Sequence, residues 1–158
     1  MLASALRALG LVVLLLAPLP CAADVELAIR GYDPVAYFTD GAATKGNPTY
    51  EYVWDDERYR FATQEHRDMF RQHPDRYAPQ YPGYCAMSLA NGAQVEPDPE
   101  NWLVRDGRLY LFGKAIGPEK FSSDLADNVA HADANWRRAQ AGEALLPRKT
   151  AEPEPPRQ

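Results

Sequence analysis

The segment NWLVRDGRLYLF, from Asn101 to Phe112, constrains the fold more than any other stretch of this 158-residue chain. Two runs rich in apolar residues flank the dipeptide Asp106-Gly107, which favours the positive φ angles of a tight two-residue turn. The segment therefore predicts a β-hairpin. A second hairpin is predicted from TYEYVW and RYRFA, two aromatic-rich runs that the polar residues 55–57, DDE, separate.

Two helices are predicted on either side of the earlier hairpin. Asp33 and Pro34 have the residue types of a helix cap and a first helical position, and Gly41 ends this short helix. Thr63 can cap a second helix, QEHRDMFRQH, which ends at Pro74 because proline cannot continue the backbone hydrogen bonds.

The last predicted helix carries an apolar stripe at spacings of three and four residues, which we expect to pack on a sheet. The stripe consists of Phe121, Leu125, Val129, Ala132 and Trp136. A break is expected near Asp127 and Asn128. Two antiparallel hairpins packed against helices predict an α+β fold in one small domain.

The beginning of the chain is typical of an export signal. Arg7 precedes an apolar run, residues 8–19, that is too short to span a bilayer comfortably. The pattern predicts a signal peptide over residues 1–23, cleaved after Ala23, and a periplasmic or secreted mature protein. An alternative is a lipid anchor on Cys21, although the Pro20 before it is not the small residue that such processing favours.

The remaining chain divides into a body and a tail. Residues 24–142 are predicted to form the domain, and residues 143–158 a disordered tail, because PRKTAEPEPPRQ is Pro-rich, charged and without apolar residues to bury. No further apolar run is long enough to span a membrane, so no membrane span is expected in the mature chain.

The charge of the chain argues against a nucleic-acid partner. Its 17 Lys and Arg and 22 Asp and Glu give a net charge of −5, which becomes −6 when the signal peptide with Arg7 is removed. Basic residues form no continuous stripe. An acidic surface of this kind attracts cations weakly.

Cys85 is the only cysteine expected in the mature chain, because Cys21 lies in the signal. A free cysteine is often buried as a small hydrophobe, but it can also bind metal, react, or link two chains in an oxidising compartment. No C-x-x-C motif, nucleophile elbow or Gly-rich phosphate loop accompanies it. We therefore expect that the protein is not an enzyme, and the sequence leaves its oligomeric state open.

Three separated segments resemble the YHS domain family, in its secreted bacterial branch of single small domains. They are GYDPVAYF at 31–38, RYRFATQEHRDMFRQHPDRYAPQY at 58–81 and PGYCA at 82–86. The resemblance covers most of residues 31–136, including the closing DANW. It implies the fold and an association with heavy metals, since short members attached to copper-transporting ATPases carry thiolates in a DPVCGM-like start and an FCSxxC-like junction.

The chain departs from that cysteine pattern at three positions. Ala36 stands where the DPVCGM type has its cysteine, Ala62 replaces the first cysteine of the junction, and His66 occupies the place of the second. The resemblance therefore implies a metal site only in modified form.

Cys85 and His66 are the predicted metal ligands, because thiolate and imidazole suit copper, with zinc also possible. His73 lies about 10 Å from His66 along the predicted helix, too far to share one ion. Met87 is a weaker candidate, since it points with Cys85 only if this stretch is extended. Tyr84 is predicted to orient or screen the site from behind the ligands.

The function expected from this reading is an exported protein that binds copper or hands it to a metal-handling protein. The alternative is a non-catalytic module that has lost metal binding and contacts a protein or a small molecule through its nine tyrosines. Ala36 and Ala62, which replace two cysteines of the pattern, favour the alternative.

Overall fold

The computed structural model describes residues 25–148, which form an α+β domain with two small sheets. The strands are β1 (Glu26–Leu27), β2 (Asn47–Trp54), β3 (Glu57–Phe61), β4 (Asp98–Arg105) and β5 (Arg108–Phe112). The helices are α1 (Ala36–Thr39), α2 (Gln64–Gln72), α3 (Pro74–Tyr77), α4 (Ala86–Ala90), α5 (Gly117–Ser123) and α6 (Leu125–Gln140). The predicted signal peptide, with Cys21, and residues 149–158 of the predicted tail lie outside the described residues.

None of the helices within residues 25–148 combines the length and the apolar character needed to cross a membrane.

Both predicted hairpins are confirmed. Strands β2 and β3 pair antiparallel around Asp55 and Asp56, with φ of 50° and 59°, and β4 and β5 pair around Asp106 and Gly107, with φ of 52° and 72°. Positive φ at both central residues gives the turn whose twist matches that of the strands. Glu57, which the sequence suggested for the connection, is instead the first residue of β3, because two residues suffice for the turn.

Strand β1 was not predicted. It pairs parallel with β3, with Glu26 opposite Glu57 and Leu27 opposite Arg58, so the first sheet has the order β1-β3-β2. A strand of two residues is too short to show the alternation by which strands are recognised in a sequence.

One hydrophobic core lies between the first sheet and α2. Phe70 of α2 is fully buried, and its ring lies 4.7 Å from Tyr59, 5.2 Å from Phe61 and 6.0 Å from Trp54, centroid to centroid. The predicted cap of α2 is confirmed, because Thr63 accepts a hydrogen bond from the third residue of the helix.

A second core joins β5 to α4, α5 and α6, and the predicted apolar stripe packs in it. The predicted break is present, but it falls at Asp124, slightly before the expected position near Asp127 and Asn128. Asn128 is buried in α6, and its amide donates to the carbonyls of Lys120 and Phe121 at the end of α5. The Asn128 side chain, which suggested a break, thus donates hydrogen bonds to backbone carbonyls of the preceding helix.

The packed chain continues past residue 142, where the sequence placed the end of the domain. Leu146 donates its backbone N–H to Asn135 at 2.8 Å, and its carbonyl accepts from the same side chain at 3.1 Å. Leu145 packs on the second core, and Arg148 donates to Asn128 at 2.7 Å. Residues 143–148 therefore lie against α6, since the buried Asn135 takes backbone groups of this segment as partners.

Candidate functional site

His66 lies in the first turn of α2, with its ring between Asp33 and Thr39. The ring Nδ1 donates to Asp33 Oδ2 at 2.7 Å, and Nε2 lies 3.3 Å from Thr39 Oγ1. The side chain is 12% exposed. A carboxylate on one ring nitrogen fixes the tautomer and orientation of an imidazole, and metal-binding histidines commonly have such a partner.

Asp33 is fully buried and holds backbone groups as well as the imidazole. Its Oδ1 accepts from the N–H groups of Val35 at 2.8 Å and Ala36 at 3.4 Å, and its Oδ2 also accepts from the N–H of Ala62 at 2.8 Å. The sequence indicated only the capping role. The carboxylate also ties α1 to the end of β3 and to His66, a contact across 33 residues that no local pattern predicts.

Cys85 lies in the second core, directly before α4. It is 4% exposed, and its Sγ accepts from the backbone N–H of Ser88 at 3.5 Å. The side chains that cluster with it include Tyr81, Leu89 and Phe112. The thiol is thus enclosed by apolar groups.

The neighbours of Cys85 also belong to this core. Residues 86–90 form α4, so Met87 is helical and partly buried against the same cluster. The ring of Tyr84 packs edge-on against Trp136, with centroids 5.5 Å apart. The helical conformation removes the extended geometry in which Met87 would point with Cys85. The roles of Met87 as a ligand and of Tyr84 behind a metal site stay predictions.

The predicted ligands make separate local contacts. The hydrogen bonds of His66 go to the Asp33 region and that of the Cys85 sulfur to α4, and no group of three or more His, Cys, Asp or Glu side chains within residues 25–148 could hold a metal ion. His73 is exposed after α2, and His131 contacts Asp127 on α6. A thiolate–imidazole centre needs further ligands besides these two side chains. The Cys85–His66 site stays a prediction.

A cavity of about 350 Å³ opens beside β1, between the turn at residues 28–31 and the proline-rich loops near residues 79–83 and 96–99. Its volume is in the range of small-molecule sites. The walls combine apolar side chains with carboxylates. The apolar lining includes Leu27, Ile29, Pro79, Pro82, Pro97 and Leu111, and the carboxylates are Glu26, Glu57 and Glu96.

The turn that borders the cavity has a strained backbone. Ile29 and Arg30 have φ of 50° and 48°, and Gly31 continues the left-handed conformation with φ of 78°. For an L-residue this region costs roughly 1–2 kcal/mol, and for a β-branched residue such as isoleucine it is an outlier. Lys45 and Gly46 donate hydrogen bonds to the carbonyls of Arg30 and Gly31. Strain of this kind concentrates at functional sites.

The charges around the cavity are unbalanced. Arg30 donates to Glu96 at 2.8 Å, so the one cation of the lining already has a partner. Glu26 and Glu57 are register partners on β1 and β3, and neither has a salt bridge in the part of the chain that the structure describes. Burial raises the pKa of Glu57, the hydrogen bond from the Tyr59 hydroxyl lowers it, and the charge of Glu26 raises it further.

Glu57→Gln is expected to raise the melting temperature at pH 7 by about 1–3 °C. The raised pKa means that the ionised carboxylate is less stable in the fold than in the unfolded chain. The destabilisation is fully present at pH values above the pKa of Glu57 in the folded protein. It disappears at pH values below the pKa of this residue in the unfolded chain. Thermal melts at pH 7 and at a pH below the ordinary glutamate range measure it, and the difference should vanish at the lower pH.

The control for this comparison is Glu119→Gln, which changes an exposed carboxylate of α5 that does not line the cavity. It should not raise the melting temperature at pH 7, because Glu119 lies in the first turn of α5, where a carboxylate is favourable. A lower melting temperature for Glu57→Gln at pH 7 would show that the carboxylate stabilises the fold.

Most of the tyrosines pack in the hydrophobic cores. Five are buried, namely Tyr37, Tyr59, Tyr77, Tyr81 and Tyr110. The other four are partly exposed, with Tyr50 and Tyr52 packed against the first core and Tyr84 against the second. The tyrosine-rich binding face of the alternative function stays a prediction.

Comparison of the chain with family models, with curated proteins and with solved structures finds no match. The resemblance to the YHS domain family therefore depends on the quoted segments alone and stays a prediction.

Proposed function

We propose that this chain is an exported, non-catalytic binding module that takes a small molecule in the cavity beside β1. The observation that carries the proposal is the cavity itself, whose size suits a ligand and whose wall combines prolines and leucines with the carboxylates Glu26 and Glu57. The strained turn at Ile29 and Arg30 supports it, because a fold retains such a conformation only where the surroundings enforce it.

The surroundings of Cys85 support a module without a copper-thiolate centre. The thiol is 4% exposed inside an apolar cluster, and Ala36 and Ala62 stand at two positions where the metal-binding pattern has cysteines.

Copper uptake tests this proposal against the metal-binding alternative. Reduced protein is mixed with Cu(I) and a chromophoric copper chelator, and the copper left on the chelator is read by absorbance. We expect the chelator to keep the copper, and Cys85→Ser and His66→Ala to behave like the parent. Uptake of about one equivalent by the parent and its loss in both variants would contradict the proposal and establish the Cys85–His66 centre.

The reactivity of Cys85 provides an independent check. In the native protein a thiol reagent should label Cys85 at least about 100-fold more slowly than in denaturant, because the sulfur is exposed only when the core opens. Mass spectrometry over time measures the labelling. Native labelling as fast as in denaturant would show that the thiol is accessible.

A metal site that uses His66 but not Cys85 is the second candidate, and one observation favours it. The imidazole has the buried Asp33 carboxylate on Nδ1 and only the Thr39 hydroxyl near Nε2. This is the arrangement by which carboxylates orient histidine ligands of zinc and copper. In the chelator assay, this candidate expects copper or zinc uptake that His66→Ala removes and Cys85→Ser leaves intact.

A further inference from the structure

We propose that the cavity beside β1 binds an aliphatic diamine, with Glu26 and Glu57 as the groups that hold its ammonium ions. The inference depends on the proposed binding function and names the ligand class that fits the same site.

The charge of the lining selects a cation with two positive charges. Three carboxylates and one guanidinium line the cavity, and the guanidinium of Arg30 pairs with Glu96. Glu26 and Glu57 remain, placed side by side by the parallel pairing of β1 and β3. Two like charges at neighbouring positions repel each other, and a dication that contacts both removes the repulsion.

The apolar walls select an organic cation over a bare ion. Leu27, Ile29 and four prolines line the cavity, and methylene groups can pack against such surfaces. No set of three carboxylate, histidine or cysteine side chains in residues 25–148 is placed to coordinate a metal ion, and the three glutamates of this lining therefore do not meet around one point. A flexible chain with an ammonium group at each end can reach carboxylates that are spread along a wall.

A neighbouring depression continues the same negative surface. Its volume is about 300 Å³, and it shares Pro79 and Pro82 with the cavity. Asp55 and Asp75 contribute its charged groups, and the lining includes Trp54 and Trp136 but no lysine or arginine. Indole rings also attract ammonium groups. The field around the site therefore favours cations beyond the cavity itself.

Calorimetric titration with 1,4-diaminobutane tests the assignment, and 1,4-butanediol and MgCl₂ are the matched probes. The diol has nearly the same shape without the charge, and Mg²⁺ has the charge without the chain. We expect saturable binding of the diamine only. Glu57→Gln should weaken it about tenfold and the exposed Glu26→Gln about threefold, as expected for lost charge-assisted hydrogen bonds. Glu119→Gln, outside the cavity, should bind like the parent.

Each other outcome overturns the inference in an identifiable way. Equal binding of the diol would show that the ligand need not be a cation, but the cavity would still be a small-molecule site. Equal binding of Mg²⁺ would show that the diamine binds only through general attraction between opposite charges. Absence of diamine binding, or unchanged affinity in both Glu57→Gln and Glu26→Gln, would overturn the diamine assignment but leave the cavity open to another class of small molecule. Binding of Cu(I) through Cys85 and His66 would overturn the proposed function as well. Thermal melts of both variants establish that they fold.

Discussion

Asp33→Ala should lower the free energy of unfolding by about 3–5 kcal/mol. The carboxylate is fully buried, and its removal leaves the N–H groups of Val35 and Ala62 and the ring of His66 without their acceptor. Each of these donors loses its partner where water has little access, so their costs accumulate. Chemical denaturation followed by circular dichroism measures the change.

Asp40→Ala is the matched control, because Asp40 is an exposed carboxylate at the end of α1, the helix at whose start Asp33 lies. It should change the free energy of unfolding by about 0.5 kcal/mol or less. Equal stability losses in the two variants would mean that the hydrogen bonds of Asp33 do not organise α1, β3 and α2.

Phe70→Ala is expected to cost about 3–5 kcal/mol by leaving a cavity in the first core. The ring is fully buried and lies against Tyr59, Phe61 and Trp54, which come from both strands of the first hairpin. The rigid strands cannot close around the vacated space, so most of the lost contact is not recovered. The same denaturation experiment measures it.

Val53→Ala serves as its control, since Val53 lies on the same sheet but is 54% exposed. A loss of about 0.5 kcal/mol or less is expected. If Phe70→Ala cost no more than Val53→Ala, the packing of α2 on the sheet would not be a main source of stability.

The sequence predicted the parts of the fold that depend on local chemistry. Asp106-Gly107 specifies a tight turn because few residue pairs accept two positive φ angles, and Thr63 specifies a helix start because its hydroxyl replaces a missing acceptor. The break at Asp124 could not be placed from the sequence. It depends on how Asn128 meets the carbonyls of α5 in the folded core.

The candidate site was less predictable, because it too depends on contacts between residues that are distant in the sequence. His66 was identified from its position in a motif, but its partner Asp33 lies 33 residues away and shows only as a helix cap in the sequence. Glu26 and Glu57 meet through a parallel pairing of two residues that leaves no sequence pattern. Gly31 was the one local signal of the left-handed turn beside the cavity, because glycine adopts positive φ without strain.

The measurement that tests the central claim most directly is an amide chemical-shift map of the ¹⁵N-labelled protein during titration with 1,4-diaminobutane. The cavity beside β1 predicts that the largest shifts fall at residues 26–31 and at Glu57, which line it or border it. Shifts centred on His66 or Cys85, or no saturable shifts at all, would contradict the claim that this cavity is the binding site.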